Sequence, residues 1–187
     1  IVKDKNSRAR AGIITTPHGR IETPYLVPVA TRASARCLDS QDLLKLGVQT
    51  ILANTYHLHC HPGSKLINNL GSLHKFMCWH KPIFTDSGGY QAFSLGTGTE
   101  IGIRKIGHFP KLENLPKNKN PEKRSAEIKE NGIHFKSSYD QSYILLTPKL
   151  SMEIQSNLGS DIIMALDECT SPTDDYEYVK KSLERTH

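Results

Sequence analysis

Short apolar runs alternate with polar, helix-forming stretches along most of this 187-residue chain. Four runs have the character of strands: residues 24–30, 48–56, 82–85 and 161–167. Near-continuous apolar strands indicate a sheet covered on both faces, and helices between strands indicate parallel βα units. The pattern therefore predicts an α/β fold that is built on a parallel sheet.

Helix and turn signals fill the intervals between these runs. Helices are predicted over residues 40–47, with a serine cap and a terminal glycine, and over residues 64–69, 150–158 and 173–187. Two β-hairpins are predicted, one over residues 11–23 and one over residues 131–146. Residues 96–130 are rich in glycine, proline and lysine, which predicts an inserted basic surface loop.

Composition narrows the classes of protein to which the chain can belong. No apolar run approaches the roughly 20 residues that a membrane span needs, and the N-terminal residues lack the apolar core of a signal peptide. The four cysteines are widely spaced without a CxxC pair, which favours free thiols and a cytoplasmic location. The net charge of +5 is compatible with a nucleic-acid partner.

Residues 85–91, Thr-Asp-Ser-Gly-Gly-Tyr-Gln, follow the third apolar run. Glycines allow a sharp turn and close approach of the backbone to a ligand. The carboxylate of Asp86 can take a proton, and the ring of Tyr90 can stack on a flat base. We interpret this segment as a binding turn for a heterocyclic base. The alternative is that Tyr90 is a core residue.

A second acid, Asp167, ends the fourth apolar run as Asp86 ends the third. The carboxyl ends of barrel strands meet at one rim, so we expect both carboxylates to face one pocket. Alternatively, Asp86 caps the next helix and Asp167 pairs with a surface Lys or Arg. Cys169 either lines the pocket or is a small buried hydrophobe.

Residues 57–61, His-Leu-His-Cys-His, contain side chains that zinc accepts as ligands. On an extended segment, however, adjacent residues alternate faces, and no second ligand cluster is obvious. His74 and His80 stand alone in the sequence. We therefore predict no metal site in this chain.

Several motifs together resemble one family. They comprise residues 54–58, 62–63, 74–77, 85–95, 158–161 and 164–170, including Asp-Ser-Gly-Gly-Tyr-Gln and Asp-Glu-Cys. With them the chain resembles the tRNA-guanine transglycosylase, or queuine tRNA-ribosyltransferase, family of bacterial type. The resemblance implies a (β/α)8 TIM-barrel type, of which residues 1–187 would be the N-terminal portion, with about four βα units. An N-terminal hairpin over residues 1–23 and a basic insertion with a hairpin over residues 96–146 complete the predicted domain.

The family is a pentosyltransferase that replaces guanine at the tRNA wobble position with a 7-deazaguanine through a covalent intermediate, in queuosine biosynthesis. The resemblance implies that Asp86 is the proton acceptor and that Asp167 accepts hydrogen bonds from the base. Cys169 matches the pocket of enzymes that use 7-aminomethyl-7-deazaguanine, although queuine stays an alternative. The residues that match the base-binding turn are Ser87, Gly88, Gly89 and Tyr90.

The family's nucleophile and its zinc ligands lie beyond the segment matched here, so we expect no cofactor within these residues. The implied partners are tRNA, guanine and the 7-deazaguanine base, and a homodimer or a complementing chain, without a membrane. The alternatives are a non-catalytic tRNA-binding subunit and an inactive truncated fragment.

Overall fold

The computed structural model describes residues 1–95, 126–137, 139–170 and 174–187. These residues form a mixed α/β structure with three sheets of three strands each. The chain divides into two compact units, residues 1–86 with 153–164 and residues 87–152 with 165–187. No helix in the described ranges is long and apolar enough to cross a membrane.

The strands are β1 Val2–Lys3, β2 Arg10–Thr16, β3 Gly19–Thr23, β4 Val29–Ala30, β5 Ile51–Ala53, β6 Ile83–Thr85, β7 Ala126–Lys129, β8 Gly132–Lys136 and β9 Tyr143–Leu146. The helices are α1 Ser40–Lys45, α2 Thr55–Cys60, α3 Ser64–Asn69, α4 Ser72–Phe76, α5 Gly89–Leu95, α6 Pro148–Leu158 and α7 Tyr176–Thr186.

Strands β4, β5 and β6 form a parallel sheet, with Ile51 paired to Ile83 and Ala30 paired to Ala53. These four side chains are fully buried. The prediction of parallel βα units is confirmed for these strands, whereas the barrel with four units stays a prediction.

The first predicted strand is much shorter than residues 24–30, because only Val29 and Ala30 pair with a neighbour. Leu26 is 88% exposed, so the prediction of a buried strand over the whole run is wrong. Pro24 and Pro28 have no N–H to donate to a ladder, which confines the pairing to the end of the run.

The second predicted strand, residues 48–56, stops at Ala53 because a helix begins directly after it. The side chain of Asn54 accepts a hydrogen bond of 3.0 Å from the N–H of His57 and so caps α2. Thr55 and Tyr56 therefore belong to α2, and the predicted end of the strand is wrong. An asparagine cap was the signal for this boundary.

The fourth run, residues 161–167, was predicted to be a strand but forms only a single parallel bridge, between Ile162 and Phe84. The buried amide of Gln155 explains this difference. Its Nε2 donates to the carbonyl of Met164 at 2.8 Å, and its Oε1 accepts from the N–H of Met164 at 2.9 Å. Both backbone groups of Met164 are thus satisfied by a side chain, which takes the place of a strand partner.

Predicted helix positions agree with the structure, although three starts differ. Asp39, and not Ser40, caps α1, in a capping box with Asp42. Helix α6 begins at Pro148, two residues before the predicted start, since Thr147 accepts from the N–H of Leu150. Helix α3 lies where it was predicted. Helix α7 lies within the predicted range 173–187 but begins only at Tyr176, because Asp175 is its N-cap.

Both predicted hairpins are present. Strands β2 and β3 pair antiparallel, as do β8 and β9. Strand β7 pairs with β8 and occupies residues that were predicted to be loop, so that prediction is wrong for residues 126–129. Its alternation is short: Ala126 and Ile128 are more buried than Glu127 and Lys129. The rest of the predicted insertion, residues 96–125, lies outside the described residues.

Candidate functional site

Asp86 stands directly after β6, where the sequence predicts a functional acid. Its Oδ1 accepts from the N–H of Thr55 at 2.9 Å, and its Oδ2 accepts from Nδ2 of Asn54 at 2.5 Å. The hydroxyl of Thr55 also donates to the carbonyl of Asp86. These bonds connect the half-buried carboxylate to the first turn of α2.

Asn54 is a site residue to which sequence reasoning assigned no role. One end of its amide caps α2 through Oδ1, and the other end donates to Asp86 through Nδ2. With both ends engaged, the orientation of the amide is fixed and the acid has a defined direction.

Asp167 contacts the predicted base-binding turn. The hydroxyl of Ser87 donates to Oδ1 of Asp167 at 2.6 Å and accepts from the N–H of Gly89 at 3.0 Å. Ser87 is 3% exposed, whereas Asp167 is exposed. No hydrogen bond or ion pair to Oδ2 of Asp167 comes from the described part of the chain. One oxygen is therefore held while the other is open to a ligand. Among the described residues no Lys or Arg forms an ion pair with Asp167.

Gly88 and Gly89 of the turn are required to be glycine by different structural constraints. Gly88 has a φ of 86°, a backbone conformation that residues with a Cβ rarely adopt. A Cβ on Gly89 would lie 2.2 Å from the carbonyl oxygen of Asp167 and 3.1 Å from its Oδ1. The close approach of Gly89 to Asp167 thus excludes every side chain.

Tyr90 and Gln91 lie in the first turn of α5 and are both partly buried. Oε1 of Gln91 is a buried acceptor without a hydrogen-bond partner in the described ranges. Because buried polar atoms normally have partners, this amide is a candidate contact for a ligand. Gln91 belongs to the segment 85–91 that the sequence singles out, but sequence reasoning assigned it no role.

Cys169 is partly buried. Burial raises the pKa of its thiol, and the negative charge of Asp167 raises it further. The thiol is therefore neutral at physiological pH, which suits a residue that lines a pocket more than a nucleophile.

A solvent-open pocket lies beside the segment that carries Asp167. Asp167, the predicted base-recognition acid, is part of its lining, whereas residues 87–90 of the base-binding turn are not. Its walls are Ile128, Lys129, Glu130, Gly132, Ile133, Pro148, Leu166, Asp167, Glu168 and Arg185.

The histidines of residues 57–61 lie mostly on α2 and not on an extended segment as predicted. They belong to no cluster suited to a metal within the described residues, whereas His18, His74 and Asp161 do. The rings of His18 and His74 are stacked with their centroids 3.6 Å apart, so His74 does not stand alone as predicted.

Hydrogen bonds already occupy the carboxylate of Asp161. Oδ1 accepts from Nδ1 of His18 at 2.8 Å and from its N–H at 3.2 Å. Oδ2 lies 3.0 Å from the N–H of Ile83 and 3.2 Å from Nε2 of His74. An ionised carboxylate only accepts, so the ring nitrogens that face it carry protons and offer no lone pair to a metal. In this arrangement the cluster is not suited to zinc, and the zinc that the resemblance implies has its ligands beyond the matched segment.

Asp86 and Asp167 belong to different compact units. Each is held within its own unit by the contacts given above. That they face one pocket stays a prediction.

Comparison with known proteins gives the family. The family model described as queuine tRNA-ribosyltransferase matches residues 4–187. A protein of Archaeoglobus fulgidus is 52% identical over 100% of this chain and 47% of its own length. The queuine tRNA-ribosyltransferases of Fusobacterium nucleatum and of a Thermoanaerobacter species are 45% and 44% identical over 99% and 100% of this chain, and over 42% of their own lengths. The chain thus spans under half of the length of these relatives, and it belongs to the queuine tRNA-ribosyltransferase family.

Proposed function

We propose that the full-length protein exchanges guanine in tRNA for a 7-deazaguanine base, with 7-aminomethyl-7-deazaguanine as the incoming base. Family membership and the names of the relatives support the reaction class. The residues of this chain supply base recognition and a proton acceptor. Breaking the glycosidic bond is assigned to no residue among them.

The observation that carries the proposal is the half-occupied carboxylate of Asp167. Its Oδ1 is held by Ser87, and its exposed Oδ2 has no partner in the described part of the chain. The edge of a guanine-like base presents a ring N–H and an exocyclic amine, both donors. An ionised carboxylate offers only acceptors and so complements that edge.

Asp86 is the proposed proton acceptor for the incoming base. Asn54 and Thr55 donate one hydrogen bond to each of its oxygens and fix their direction. Carboxylate oxygens have further lone pairs, so these bonds leave capacity to accept a proton.

Incorporation of labelled guanine into tRNA by the full-length protein tests the reaction. We expect Asp86→Asn to reduce kcat at least about 100-fold, since general-base catalysis contributes on that order, while affinity for tRNA in a gel shift changes under about twofold. Asp167→Asn should raise KM for guanine about 10- to 100-fold, the range of a lost charge-assisted bond.

Asp4→Asn is a matched control, because Asp4 is an exposed aspartate near the N-terminus that bonds only to neighbouring residues. Asp4→Asn should leave kcat, the affinity for tRNA and the KM for guanine unchanged. Absence of incorporation by the wild-type protein would overturn the proposed function. An unchanged KM for guanine in Asp167→Asn would remove Asp167 from base recognition.

A further inference from the structure

Glu168 directly follows Asp167, the proposed base-recognition residue. The side chain of Glu168 is buried, whereas Asp167 is exposed. The Glu168 side chain is 5% exposed. Its Oε2 accepts from Nε of Arg185 at 2.7 Å, and its Oε1 accepts from the hydroxyl of Tyr178 at 2.7 Å. Both donors lie on α7: Tyr178 is two residues after the start of the helix, and Arg185 is one residue before its end.

The backbone of the same segment is also held by α7. The N–H of Glu168 donates to Oγ1 of Thr186 at 3.3 Å. Residues 165–170, which belong to the second compact unit, contain no helix or strand, so no ladder of backbone hydrogen bonds fixes them. Their position within that unit therefore depends on side chains: Ser87 binds Asp167, and α7 binds Glu168.

Tyr178 and Arg185 keep their charge states over the ordinary pH range. The hydrogen bond to Glu168 raises the pKa of Arg185, so the guanidinium is always charged. Burial, followed by the bond to Glu168, raises the pKa of Tyr178 to about 12, so its hydroxyl remains a donor. Arg185 also donates from Nη1 to Oε1 of Glu130 at 3.0 Å, which fixes the plane of the guanidinium.

We propose that Glu168, Tyr178 and Arg185 are positioning residues that hold the backbone of Asp167 so that its carboxylate meets the base. The catalytic consequence rests on the proposed function, whereas the positioning of the segment does not. A buried carboxylate that loses a hydrogen-bonded partner is strongly destabilised, so loss of either α7 side chain releases Glu168 and the residue before it.

Hydrogen–deuterium exchange of the full-length protein tests the positioning directly. Tyr178→Phe removes one hydroxyl and Arg185→Gln removes one charge. Each should accelerate amide exchange in residues 167–170 about tenfold, the effect of losing one hydrogen bond of ordinary strength. The controls lie on the same helix: Tyr176→Phe, at an exposed tyrosine, and Lys181→Gln, at an exposed lysine, should leave exchange unchanged.

Steady-state kinetics separate positioning from a general loss of structure. Tyr178→Phe and Arg185→Gln should raise KM for guanine about tenfold, while kcat and KM for tRNA change under about twofold. Arg185→Lys keeps the charge, but without the planar fork it should restore only part of the loss.

Unchanged exchange in residues 167–170 in both variants would overturn the inference, whether or not the protein is active. Equal effects of Tyr178→Phe and Tyr176→Phe would overturn it as well. A wild-type protein without base exchange, but with the expected amide exchange in the variants, would refute the proposed function and leave the positioning intact.

Discussion

The hydroxyl of Ser87 donates a 2.6 Å hydrogen bond to Oδ1 of Asp167, although the two residues are 80 positions apart in the chain. The same hydroxyl accepts from the N–H of Gly89, and the carbonyl of Ser87 accepts from the hydroxyl of Ser151 at 2.7 Å. Ser87 therefore connects the base-binding turn, the proposed base-recognition acid and the first turn of α6, all of which lie in one compact unit.

Replacing Ser87 with alanine should weaken base binding more than it weakens the fold. The change removes a donor to a charged acceptor, for which a loss of about 1.5–3 kcal/mol is typical. We expect KM for guanine to rise at least about tenfold and kcat to change little. Ser156→Ala on the exposed face of α6 is the control. Equal KM values for the two variants would contradict the assigned role of Ser87.

Replacing Gly89 with alanine should displace Asp167. The added Cβ would meet the carbonyl oxygen of Asp167 at 2.2 Å, so the backbone has to move. We expect a loss of about 3 kcal/mol in the free energy of unfolding, at the upper end for overpacking, and undetectable base exchange. Gly12→Ala is the control, since its nearest neighbour is the exposed side chain of Ile1 at 3.3 Å. Wild-type melting and activity in Gly89→Ala would contradict the close approach.

Replacing Gln155 with glutamate should destabilise the protein. The glutamate cannot donate to the carbonyl of Met164, and it places a charge where the amide is fully buried. We expect the free energy of unfolding in urea to fall by about 2–4 kcal/mol. Gln41→Glu on the exposed side of α1 should change it by under about 0.5 kcal/mol. A neutral result for Gln155→Glu would show that the amide does not replace a strand partner.

Stability should fall on acidification, in two steps. Burial lowers the pKa of His74 below the ordinary 6.5, the charge of His18 lowers it further, and Asp161 only partly offsets this. The unfolded chain therefore takes up a proton first, and stability declines as pH drops below about 6.5. Burial alone would raise the pKa of Asp161, but hydrogen bonds from His18 and Ile83 and the histidine charges outweigh it. That net lowering makes stability fall again below pH 3.8, the ordinary value for an aspartate.

Melting temperatures between pH 8 and pH 3 check this prediction. Burial also lowers the pKa of His57 and His59, so we expect His74→Gln to reduce the first step without abolishing it. His80→Gln, at an exposed histidine, should keep both steps at their full size. A first step of unchanged size in His74→Gln would contradict the contribution of His74.

The sequence predicts the parallel arrangement of β4–β6 because their apolar character is continuous and helices separate them. It does not predict where the strands end, since single side chains decide those boundaries. Asn54 starts a helix inside a run that has strand composition, and Gln155 satisfies the backbone of Met164 in place of a strand. Strand β7 was not predicted, because its alternation of apolar and charged residues covers only four positions and adjoins a segment rich in glycine, proline and lysine.

The candidate site divides in the same way. Residues 85–91 are recognisable from local composition, because an acid, two glycines, an aromatic ring and an amide follow a buried strand. The partners of these residues are not recognisable. The bond between Ser87 and Asp167, and the bonds of Asp86 to Asn54 and Thr55, join distant positions, and no local pattern encodes them.

Asn54 uses one amide for two functions. Its oxygen starts α2, and its nitrogen aims the carboxylate of Asp86. Aspartate can replace the first function but would set two negative groups against each other, and alanine can replace neither. A substitution of Asn54 that changes the orientation of the Asp86 carboxylate therefore also changes the start of α2. An engineer who wants a different proton-acceptor geometry has to begin from Thr55 or from the turn itself.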